Sequence, residues 1–112
     1  MTPEAFDKAA MALKGATMDV QWGDDQVYKI GGKMFAVLNP AGSASFKASD
    51  IAFEALTESG PAIPAPYLAR AKWVWFADIG PLDDTELEGW LANAHALIAA
   101  KLTRKQRAEL GL

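Results

Sequence analysis

The residues in this chain that could do chemistry are few, and their types narrow the options. There is no cysteine, which excludes disulfides, thiolate catalysis and cysteine-ligated zinc or iron–sulfur centres. His95 is the only histidine, so no intrachain histidine cluster can hold a metal. It sits on the shoulder of an apolar stripe, between Leu91 and Ile98, and no nucleophile stands at a spacing that would pair with it. A packed imidazole with one hydrogen bond is expected, with general acid–base chemistry as the alternative. Asp83, Asp84, Glu86 and Glu88 gather at a helix start. Carboxylates alone suit hard cations, but capping and compensation of the helix dipole account for the same residues. Gly31-Gly32-Lys33 lacks the spacing and the following helix of a phosphate loop and reads as a hairpin turn. No catalytic residue, cofactor or metal is expected, and the chain does not read as an enzyme.

What remains is positive charge and aromatic surface. Lys33, Lys47, Arg70 and Lys72 form a candidate phosphate-contacting set, with Tyr67 or Trp73 as a stacking surface for an unpaired base. The competing reading makes them solvated lysines that protect strand ends and edges from aggregation. The window Lys101, Arg104, Lys105, Arg107 either rests on a nucleic-acid backbone or answers the dipole at a helix C-terminus. A net charge of −3 and a pI near 5.0 supply no global positive field for tight non-specific duplex binding. Any binding patch must therefore be local. Four tryptophans are expected mostly in the core. Trp73 and Trp75 share one face of their strand, and that face becomes a partner surface if it lies outside.

These residues need elements to position them. The 112 residues fit a single domain over 1–112. Thr2, Pro3 and Glu4 open a first helix over about residues 3–14, and Gly15 can end it. Met18, Val20 and Trp22 alternate with polar residues as a strand, followed by a turn at Gly23-Asp24-Asp25. Val27–Ile30 and Lys33–Leu38 pair across Gly31-Gly32, and Ser43–Lys47 adds a fourth strand. Ser49 caps a second helix that stops at Gly60-Pro61. Three prolines within 60–66 argue against a central strand there. Lys72–Ile79 is β-prone. Asp83 with Glu86 predicts a capping box for a long helix, and Thr103 with Gln106 predicts another for a short helix over 104–110.

The predicted order is α-β-β-β-β-α-β-α-α, an α+β domain with a mostly antiparallel five-stranded sheet and helices on one face. A two-residue turn sets Ile30 opposite Lys33 and Tyr28 opposite Phe35. One face then carries Tyr28, Ile30, Lys33, Phe35 and Val37, and the other Val27, Lys29, Met34, Ala36 and Leu38. Both are apolar, so the second face is covered or binds a partner, and a protein–protein or homodimer role is the alternative to nucleic acid. Met1-Thr2-Pro3-Glu4 is not a basic leader, and no apolar run approaches the ~20 residues of a membrane span. A cytoplasmic, non-membrane protein is expected.

Tyr28-Lys29-Ile30-Gly31-Gly32-Lys33-Met34-Phe35-Ala36 resembles the v-x-G-K-x-F-A hairpin of the MmcQ/YjbR family, small bacterial proteins described as DNA-binding. Phe46-Lys47, Pro66-Tyr67-Leu68 and Lys72-Trp73-Val74 are similar to its next motifs. Leu97-Ile98 with Lys101-Leu102-Thr103 resembles its closing helix. The resemblance runs through nearly the whole chain in motif order. It implies a CyaY-like, or double-wing, fold and a DNA-binding role. The family's Ser-Tyr in the long helix corresponds here to Ala94-His95.

Overall fold

The computed structural model describes residues 1–58, 60–66 and 68–112. Helix α1 spans Pro3–Met11, with the Thr2 hydroxyl accepting from Ala5 N at 3.1 Å. It ends sooner than the predicted residue 14, and Gly15 follows in the left-handed region. Strands β1 (Thr17–Gln21), β2 (Asp25–Ile30), β3 (Lys33–Leu38) and β4 (Ala44–Lys47) follow as a meander. Ser49 accepts from Ala52 N at the start of α2 (Asp50–Glu58). Then come β5 (Ile63–Pro64), a 3-10 turn at Ala69–Ala71, β6 (Trp73–Phe76), α3 (Asp84–Ala99) and α4 (Arg104–Glu109). The capping box of α4 forms in full between Thr103 and Gln106. At α3 the Asp83 carboxylate accepts from Glu86 N, which is the N-cap half of the expected box.

The sheet has six antiparallel strands in the order β1-β2-β3-β4-β6-β5. The extra strand is β5, inside the proline-rich stretch. A proline lacks a ladder donor, so it is tolerated on an edge, and β5 is the edge beyond β6. β6 stops at Phe76 rather than Ile79. Among the described residues no helix is long and apolar enough to cross a membrane.

Helices α1, α2 and α3 share one core with the sheet. It includes Phe6, Ala10, Tyr28, Ile30, Phe35, Phe46, Leu56, Val74, Phe76, Leu87, Leu91 and Ile98. Each fully buried large apolar side chain stabilises by roughly 1.5–3 kcal/mol. Trp90 of α3 stacks on Phe46 and Phe76, with ring centroids 6.2 and 5.9 Å apart. The buried Tyr28 hydroxyl donates to Asp7 Oδ1 at 2.7 Å, which pins α1 to β2. Burial first, and Asp7 second, push the Tyr28 phenol far above its usual range, so the bond keeps its proton.

The predicted register holds at the turn and then shifts. Ile30 pairs with Lys33 and Lys29 with Met34, but Tyr28 pairs with Ala36. Phe35 is the extra residue of a β-bulge, so Phe35 and Ala36 both join the helix-side core. Beyond it the alternation is reversed. Leu38 faces the helices, and Val37 joins Met34 on the opposite face.

Gly31 and Gly32 both take positive φ, 59° and 81°. A Cβ on Gly31 would also come within 2.7 Å of Leu102, while one on Gly32 meets nothing within 4 Å. Gly31→Ala is therefore expected to destabilise by more than Gly32→Ala. Both should cost about 1 kcal/mol or more from φ alone, and paired urea melts measure the difference due to Leu102.

Candidate nucleic-acid interface

The face of the sheet opposite the helices carries Met34, Val37, Ser45 and Trp75, by register and by exposure to one groove. The tryptophan face of β6 is the one turned away from the helices, because Val74 and Phe76 meet the core. The groove is about 600 Å³. Trp22, from the β1–β2 loop, stands on one side, and Ala65, Pro66 and Leu68 stand on the other. Its polar groups are Asp25, Asn39, Ser43 and Ser45. Asn39 Nδ2 donates to Asp25 Oδ1 at 2.9 Å, and Asn39 Oδ1 accepts from Ala41 N.

Charge is sorted along the strands. One end of the sheet collects the starts of β2 and β4, the end of β6 and the start of α3. There lie Asp24, Asp25, Asp78, Asp83, Asp84 and Glu86. Ile79 N donates to Gly42 O at 2.9 Å, which closes that end. The other end collects the β2–β3 turn, the end of β4, the start of β6 and the end of α3, with Lys33, Lys47, Lys72 and Lys101.

The pKa of Lys47 is lowered, first by burial, then by the charge of Lys101, with Lys72 adding to the effect and Asp50 opposing it. Its ammonium donates to Ala71 O. Lys72 holds its ammonium over the Phe53 ring, 4.9 Å from the centroid. Lys101 lies just past the C-terminus of α3, where the dipole favours it. Arg104 and Lys105 occupy the first turn of α4, where the dipole opposes cations. The dipole reading of this window therefore covers Lys101 and Arg107, which lies in the last turn of α4, but not Arg104 or Lys105.

Of the residues singled out in the sequence, Lys47 and Lys72 are brought together. Lys33 is exposed at the start of β3, at the same end. Arg70 is exposed in the 3-10 turn between the groove wall and Lys72. Tyr67 lies outside the described residues. Trp73 is only 4% exposed, where the chain folds back so that Ala65 N donates to Trp73 O and Trp73 N to Leu68 O. It presents no free ring. The accessible rings are Trp75, half-buried in the groove, and Trp22, 65% exposed. Period two pairs Trp75 with Trp73 in the sequence. Nothing in the pattern distinguished Trp22 from a core residue.

His95 is 7% exposed. Its Nε2 donates to Lys14 O at 2.8 Å, and its ring meets the Phe35 ring edge-on. It is the packed imidazole that the stripe suggested. Among the described residues no group of three or more His, Asp or Glu side chains is placed to hold a metal ion.

The two non-glycine residues at positive φ among those described are Trp22 (50°) and Lys72 (61°). Both belong to the groove or the basic end, and such conformations persist where the surroundings impose them, often at functional sites. Trp22→Gly relieves a cost of about 1–2 kcal/mol and removes a largely exposed ring. It is expected to raise the urea midpoint. In an NMR titration Lys47 Nζ should titrate below the ordinary lysine range, and Lys101→Glu should move it up. The sign for stability follows. With its folded value depressed, charged Lys47 costs stability near neutrality, and that cost is lost as pH rises from the folded pKa to the unfolded one.

Comparison with curated proteins gave no match. The YjbR family model matches residues 11–97, from the end of α1 through nearly all of α3. That span holds the whole sheet, the groove and all of the basic end except Lys101 and α4, and the chain belongs to the YjbR family.

Proposed function

We propose that this is a cytoplasmic DNA-binding protein that contacts phosphates with the basic end of its sheet. The observation that carries the reading is the gathering of Lys33, Lys47, Lys72 and Lys101 at one end of the sheet, where Lys47 pairs with Trp73 and its ammonium donates to Ala71 O. Cations gathered at one end repel one another, and an incoming phosphate relieves that repulsion. Arg104 and Lys105, placed against the dipole of α4, add to the same field. Asp24, Asp25, Asp78, Asp83, Asp84 and Glu86 lie at the far end, so the net charge of −3 does not describe the surface a polyanion would meet. On this reading the chain is a binding protein and not an enzyme, and its one imidazole is occupied by Lys14 O.

A second reading is a protein–protein or homodimer module using the open sheet face. It is favoured by the exposure of Trp22 (65%) and Ile63 (50%) on that side of the molecule.

Fluorescence anisotropy of labelled DNA across a salt series tests the first reading. Three phosphate contacts give a log–log salt slope of about −2 to −3. Lys101→Glu is expected to weaken binding about ten-fold and to reduce the slope by about one. Absence of binding at low salt, together with a dimer in sedimentation, would transfer the assignment to the second reading.

A further inference from the structure

We infer that the groove on the open sheet face holds an unpaired nucleobase, so that the DNA engaged is single-stranded. The inference rests on the DNA-binding reading above and names its ligand class. The groove, at about 600 Å³, falls within the usual range of small-molecule sites, about 300–1,000 Å³. Its surface is mainly apolar, with Trp75 and Trp22 as the rings able to stack on a base. The charged group that lines it is Asp25. A carboxylate there repels a phosphate but accepts from the donor edge of a neutral base, so the base belongs inside and its phosphate outside.

The sheet supplies a place for that phosphate. Lys47 lies on the same face as Ser45, two residues along β4 and so ~7 Å away. The groove wall of Ala65, Pro66 and Leu68 runs directly into Arg70 and Lys72. One nucleotide can then set its base over Trp75 and its phosphate at Lys47 and Arg70. A duplex keeps its bases stacked and paired and cannot make the first contact without flipping one out. The two residues held at positive φ, Trp22 and Lys72, stand at the ring side and the cationic end of this arrangement.

The test titrates the full chain with three DNA probes of equal length: a single strand, the same strand carrying abasic sites, and the duplex. The intact strand is expected to bind about ten-fold or more tighter than the abasic strand, with quenching of tryptophan fluorescence. Trp75→Ala should bring the intact strand's affinity down to that of the abasic one. Trp22→Ala, at an exposed loop position, should do so in part without risk to the fold. Equal binding of intact and abasic strands overturns the inference and leaves the phosphate reading standing. No binding to any probe overturns both. A dimer dispersed by Trp22→Ala would then assign the groove to a second copy of the chain.

Discussion

One extra residue in β3 decides what both faces of this sheet are. With Phe35 bulged out of register, Phe35 and Ala36 point to the helices in succession. Phe35 meets Tyr28 and His95, and Leu38 follows into the core. A regular strand would have sent Ala36 and Leu38 to the outside and Val37 inside. Because side chains alternate with period two, a shift of one residue exchanges every position beyond it. The bulge thus gives the core its continuity under α1 and α3. It also leaves Met34 and Val37 to line the open face beside Trp75.

The antiparallel order does a second thing, to charge. Turns that are far apart in sequence are gathered at the same end of the sheet. Asp24 and Asp25 share one end with Asp78 and the Asp83–Glu86 cap. Lys33, Lys47, Lys72 and Lys101 share the other. α3 runs from the acidic end to the basic one, so its own dipole suits the caps at its start and Lys101 just past its finish. The pKa of Lys47 is lowered first by burial and then by the charges of Lys101 and Lys72, which this arrangement brings to the same end. Separation of charge is thus a property of the topology and not of the composition.

Both features converge on the described residues of the stretch from Pro61 to Lys72. It closes the edge of the sheet through β5, forms one wall of the groove and buries Trp73 through backbone bonds at Ala65 and Leu68. It then delivers Arg70 and a strained Lys72 to the end of β4. Three prolines and a short 3-10 turn fit this role, since neither a regular helix nor a central strand could follow the path.

Sequence by itself determined the element order apart from β5, the helix caps at Thr2, Ser49, Asp83 and Thr103, the two-residue turn at Gly31-Gly32 and the YjbR family. These depend on local hydrogen bonding, on φ preferences and on motif order, all carried by adjacent residues. It also placed His95 correctly, because the apolar stripe of α3 fixes which side of the helix is buried. Tertiary structure alone decided the bulge at Phe35, the edge strand at Ile63–Pro64, the burial of Trp73 in place of Trp22, and the placing of Lys47 and Lys101 at the same end of the sheet. Each of these depends on which distant segment lies across the sheet. Alternation names the residues that share a face, but only packing says which face the helices take and what the other one is left to meet.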